Sequence, residues 1–85
     1  MRLSELATNV HSVVREVESL GADDAIARRL RDLGFVAGEP LVIVASAPMG
    51  RDPLLVQIGY TRFALRRSEA ARVRIEEPGG EASHV

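Results

Sequence analysis

"PLVIVASAPMGRDPLLVQIGYTRFALRR", residues 40 to 67, holds most of the apolar sequence in the second half of the chain, and its reading decides the fold. "PLVIVASA" from Pro40 is a continuous apolar run, too short for a typical helix and rich in branched side chains, which predicts a strand buried on both faces. "LLVQIGY" and "RFALRR" predict two further short strands, with Gly59-Tyr60-Thr61 as the turn between them. "APMGRDP", Ala47 to Pro53, then has to be a ligand loop or a strand connection. A phosphate-gripping loop needs several glycines and a lysine, whereas Gly50 stands alone here and no lysine is near. A metal loop needs clustered carboxylates or histidines, and Asp52 has no second ligand beside it. The stretch reads as a turn.

Upstream, Asp23 or Asp24 is placed to cap a helix in which Ile26, Leu30 and Leu33 repeat at i, i+4 and i+7, with Gly34 as its stop. This predicts a short amphipathic helix over 24–33. Val10, Val13, Val14 and Val17 also carry helical spacing, but four valines in so short a run favour a strand, and a β-bulge accounts for the broken alternation. The segment 10–18 is therefore expected to be the first strand. Downstream, "SEAA" from Ser68 reads as one helical turn, and "RVRIE" alternates Val73 and Ile75 inward with arginines outward. About five strands with one helix inserted after the first predict a mainly β, small closed or nearly closed barrel, since closure removes unpaired edges. Residues 1–77 are expected to form one domain, and 78–85, "PGGEASHV", a flexible polar tail.

Eighty-five residues suffice for one small domain with a modest core. Zero cysteines exclude a disulfide framework, a cysteine-ligated zinc and a thiol nucleophile. No window approaches a membrane span, and the N-terminus has no signal-peptide core, so a cytoplasmic protein without a span of its own is expected. All 11 basic side chains are arginine, against 12 acids, and the net charge of −1 argues against nucleic acid as the main partner. Sparse aromatics speak equally against an RNA-binding barrel.

"LGFVAGEPLVIVASAPMGRDP" followed by "GYTRFALRRSEAARVRI" resembles the ferrous iron transport protein A family, the FeoA-like domains. The matching features are Leu33-Gly34, Gly38, Ala47-Pro48-Met49-Gly50, Asp52-Pro53, Gly59, Ala64-Leu65-Arg66 and Glu69-Ala70. Two departures stand out: Arg51 interrupts the family's Gly-Asp-Pro run, and Ala7-Thr8-Asn9 replaces its Pro-Gly turn before the first strand. The resemblance implies an SH3-like β-barrel and a cytoplasmic accessory of bacterial ferrous-iron uptake. Its implied partner is the FeoB inner-membrane transporter with a cytosolic GTPase domain, which would also hold the domain at the inner face of the membrane. The same barrel is similar to the C-terminal domain of iron-dependent repressors, but no helix-turn-helix accompanies it here.

No nucleophile–base constellation and no G-x-S-x-G context surrounds any serine, so no enzymatic activity is expected. Partner contact falls to Met49, at a turn tip between Pro48 and Gly50, with Arg51, Tyr60, Leu65 and Arg66. Arg62, Arg66, Arg67, Arg72 and Arg74 form either a basic face or a solvated face paired with Glu69, Glu76 and Glu77. The alternative function is a metal-binding or metal-sensing module: His11, with Glu81 and His84 in the tail, is a weak donor set for a loosely held divalent transition ion such as zinc or iron. No cofactor is required. Hydrophobic barrel edges leave a homodimer open.

Overall fold

The first strand, β1 (His11–Val17), resolves the ambiguity of its valines. It pairs antiparallel with the last strand, β5 (Val73–Ile75), through Val14 opposite Ile75 and Glu16 opposite Arg74, so Arg15 is the extra residue of a bulge. The bulge changes the parity of the strand, and Val14 and Val17, three residues apart, both reach the core. A helical spacing thus arises inside a strand. The computed structural model that gives this picture describes residues 1–78.

Helix α1 (Ala25–Leu33) follows as expected. Asp24 accepts the Ala27 N–H at 3.1 Å, and Gly34, at φ 114°, ends the helix. The Gly34 N–H reaches the Arg31 carbonyl and the Phe35 N–H the Leu30 carbonyl, a Schellman arrangement in which Leu30 and Phe35 are both buried. The buried stripe differs from the expected one. It is centred between Ala27 and Leu30, and Ile26 lies on its margin, 41% exposed. Ala27, with no side chain beyond Cβ, lets the helix backbone approach the barrel.

Strand β2 (Pro40–Ser46) pairs with β1 on one side and with β3 (Leu54–Ile58) on the other. A second bulge at Val44 lies between the pairs Ile43–Val56 and Ala45–Leu55. Strand β4 (Thr61–Leu65) returns along β3 after a two-residue turn, with Ile58 opposite Thr61. Gly59, at φ 59°, takes the first central position that a type II′ hairpin turn reserves for glycine. The sheet order is β4-β3-β2-β1-β5. The strip curls around one core without a ladder between β4 and β5, so the barrel is of the nearly closed kind. A single helical turn, α2 (Arg67–Ala70), joins these two strands.

The N-terminal residues complete the core. Leu3, the first residue of a 3-10 turn (Leu3–Glu5), and Leu6, just after it, are fully buried with Ala70, Val73 and Ile75 in the common cluster. The Ile75 N–H donates to the Met1 carbonyl at 2.9 Å, and Arg2 bridges Arg74, so the first two residues cover the outer edge of β5. Phe35 and the half-buried Phe63 pack tilted, ring centroids 6.5 Å apart, and fasten the segment after α1 beneath β4.

Candidate docking surface

The Ala47–Pro53 connection is a tied loop. Its base is closed by the Ala47 N–H donating to the Pro53 carbonyl at 3.1 Å. At its tip, Gly50 and Arg51 take successive positive φ angles of 73° and 52°. This turns the Arg51 guanidinium back onto the Leu6 carbonyl at 2.8 Å. Asp52 accepts the Arg67 N–H at 3.2 Å and lies 3.8 Å from the Arg66 guanidinium, while Arg67 donates to the Gly50 carbonyl at 3.1 Å. Three hydrogen bonds and one ion pair therefore connect the loop to the N-terminal segment and to the start of α2. Met49, at the apex, is 88% exposed. Covering this side chain with a partner would return about 1.5–3 kcal/mol.

The five residues expected to meet a partner do not gather in one place. Met49 and Arg66 share the loop end of β3, whereas Tyr60, fully exposed, caps the β3–β4 hairpin at the other end. A strand of this length separates them by roughly 17 Å. Arg51 is half-buried and occupied as a tether. Leu65 is fully buried in the core cluster opposite Leu54, so its side chain does not belong to an exposed surface. Alternation explains this: Phe63 and Leu65 point inward, and Arg62 and Ala64 point out.

Across the outer face, His11, Val42, Gln57 and Arg62 form one cross-strand row from β1 to β4. Arg62 donates to Gln57 at 3.0 Å, and Val42 is buried beneath its neighbours. His11 is exposed beside Pro40 and Gln57, with no acidic or second imidazole group in that hollow. Among the described residues no three His, Asp or Glu side chains come together as a metal site. Glu81 and His84 lie outside the described residues.

The five C-terminal arginines separate into two groups. Arg72 pairs with Asp24 where both are largely buried, and Arg74 lies near Glu16 and Glu18. Arg62, Arg66 and Arg67 stay on the β4 side. Of the acids expected to neutralise them, Glu69 instead pairs with Arg29, and Glu76 with Arg15. The Glu18 carboxyl is held below the usual glutamate range chiefly by hydrogen bonds from Arg2, against partial desolvation, and Arg2 is raised in turn. The tether role of Asp52 was not readable from sequence. The only signal was its position one residue before a proline in a turn, a common place for a carboxylate to accept backbone N–H bonds.

The FeoA domain family model matches residues 1–77. The chain belongs to the FeoA domain family. The FeoA structure from Stenotrophomonas maltophilia, complexed with zinc and described as an SH3 domain protein and a possible ferrous iron transport activating factor, is 59% identical, with a TM-score of 0.82 over 89% of each chain. The iron(II) transport protein A of Clostridium thermocellum is 35% identical, with a TM-score of 0.81 over 94% of this chain and 47% of that one. A fusion of Fe(2+) transport protein A with the transporter FeoB in Porphyromonas gingivalis is 38% identical over 76 residues, 89% of this chain. This chain spans 8% of that fusion protein's length. A manganese-dependent transcriptional repressor, 16% identical with a TM-score of 0.72, shares the fold. The mainly β, SH3-like architecture expected from the sequence is the one this FeoA domain adopts. No helix among its described residues is long and apolar enough to cross a membrane.

Proposed function

We propose that this FeoA domain is a non-enzymatic accessory of ferrous-iron uptake that docks on a FeoB-type transporter at the cytoplasmic face of the membrane. The observation that carries the reading is the Porphyromonas gingivalis fusion, in which a relative of this domain and FeoB share one polypeptide. Covalent linkage makes the encounter of two modules intramolecular, which raises occupancy only if the two touch. Met49, held out by a tethered loop, and Tyr60, at a hairpin tip, are apolar or aromatic groups without cover and suit protein contact better than chemistry. Arg66, 70% exposed at the side chain, adds a cation beside Met49.

The test is capture of the transporter from native membranes by the full chain and by Met49→Asp and Tyr60→Asp variants of unchanged circular dichroism. Capture by the parent and loss in either variant supports docking. Absence of the transporter from the parent's eluate overturns it.

A second reading, loose zinc binding, is favoured by the zinc complex of the Stenotrophomonas maltophilia relative. His11 is its one described histidine donor, so the ion would need ligands from 79–85 or from another molecule. Calorimetric zinc titration of His11→Ala and His84→Ala tests it, and heats equal to the parent's remove it.

A further inference from the structure

The two ends of the sheet are treated differently. At the β5 end, Met1 and Arg2 lie along the outer edge and take up the Ile75 N–H. At the β4 end the sheet order stops. In a hairpin closed by a two-residue turn, Ile58 and Thr61 exchange hydrogen bonds, and so do the pairs Val56–Phe63 and Leu54–Leu65 at every second position. The N–H and C=O groups of Arg62 and Ala64 therefore point away from β3. Both residues are exposed, and among the described residues no loop, turn or cap contact reaches their backbone.

Long unpaired edges invite another strand, and folded proteins blunt them with charge. Here the charge is of one sign: between Thr61 and Ser68 stand Arg62, Arg66 and Arg67 and no acid. Arg66 has only Asp52, 3.8 Å away, and Arg62 only the neutral Gln57. A second copy of the chain pairing through β4 would bring these arginines against themselves, and directly opposed like charges destabilise a ladder. An acidic strand meets the opposite condition. The inward side of the edge is apolar, since Phe63 is half-buried and leaves part of its ring for a neighbour to cover.

We infer that the outer edge of β4 accepts an extended segment of a partner protein in which acidic side chains alternate with apolar ones. The acidic residues lie opposite Arg62 and Arg66 on the outer face, the apolar ones pack inward on Phe63, and the backbone pairs with Arg62 and Ala64. Main-chain pairing gives the affinity and the alternating side chains give the choice of sequence. This rests on the reading of the domain as a docking module and names the surface it docks through.

The test uses a short peptide alternating glutamate and valine, and its lysine–valine counterpart, titrated into the full chain and followed by amide NMR. The acidic peptide is expected to shift the Arg62 and Ala64 amides and slow their hydrogen exchange, with the lysine peptide bound at least about tenfold more weakly. Ala64→Pro removes the edge N–H at a position where an edge strand tolerates proline, and is expected to abolish binding while β1–β3 amides keep their shifts. Arg62→Glu is expected to reverse the preference between the peptides. Equal binding of both peptides, binding by neither, shifts confined to other strands, or dimerisation through β4 overturns the inference. Transporter capture separates it from the docking reading: an Ala64→Pro chain that still captures the transporter overturns this surface alone, whereas a parent chain that captures none overturns docking itself.

Discussion

The carboxylate of Asp24 joins two distant parts of the chain: it caps α1 through the Ala27 N–H and pairs with the Arg72 guanidinium from the segment before β5. The side chains are 8% and 14% exposed. Asp24 also accepts the Leu20 N–H at 2.9 Å, which fixes the chain's approach to the helix.

Asp24→Ala removes cap and counter-ion together and leaves Arg72 without its partner. The expected cost is about 3 kcal/mol, read from urea unfolding. Asp24→Asn keeps an acceptor for the cap and is expected to lose less, the difference being about 1 kcal/mol.

Leu65 and Met49 separate core from surface. Leu65→Ala should cost about 2–5 kcal/mol because Leu65 sits in the core against Leu54. Met49→Ala should change stability by less than about 0.5 kcal/mol. Thermal unfolding of the two variants measures both, and equal losses would mean that Met49 packs inward.

Arg51→Ala should loosen the loop without unfolding the domain. It removes the bond to the Leu6 carbonyl but keeps a side chain at φ 52°, so the backbone penalty remains. A loss of about 1–2 kcal/mol is expected. Faster hydrogen exchange at Gly50 and Asp52, with β1 unaffected, is the accompanying sign in amide NMR.

Acid stability depends on Glu18. Its folded-state pKa is depressed, chiefly by the Arg2 hydrogen bonds, so its contribution is present above the unfolded glutamate value of about 4.3 and is lost as pH falls through the folded value. Arg2 stays charged throughout, since its shift is upward. Glu18→Gln should lower stability at neutral pH and flatten the decline in acid. Urea midpoints measured across that range check the slope.

Much of this fold was legible because its signals were local. Asp24 and Gly34 marked the ends of α1 by chemistry that neighbouring residues alone supply, and Gly59 marked the hairpin in the same way. The bulged first strand was legible as a conflict: valines at helical spacing with strand propensity, which a parity change at Arg15 reconciles. The candidate surface was less legible because orientation on a short strand depends on one residue of register. Leu65 adjoins a turn in sequence yet points inward, since Ile58 opposite Thr61 fixes the parity of β4. Arg51 gave no sequence sign of folding back on Leu6, a partner 45 positions away. Periodicity places Ile26 in the buried stripe, whereas the seating of Ala27 against the barrel leaves it on the margin.

The coverage of β5 by Met1 and Arg2 sets the valence of the sheet. With one edge occupied by the chain's own first residues and the other open, a molecule can be joined at β4 and the pairing then terminates. Without those two residues the same sheet would offer two open edges, and edge-to-edge addition would have no closing step. Met1 and Arg2 thus leave β4 as the edge at which a strand can be added, and limit that pairing to a single addition.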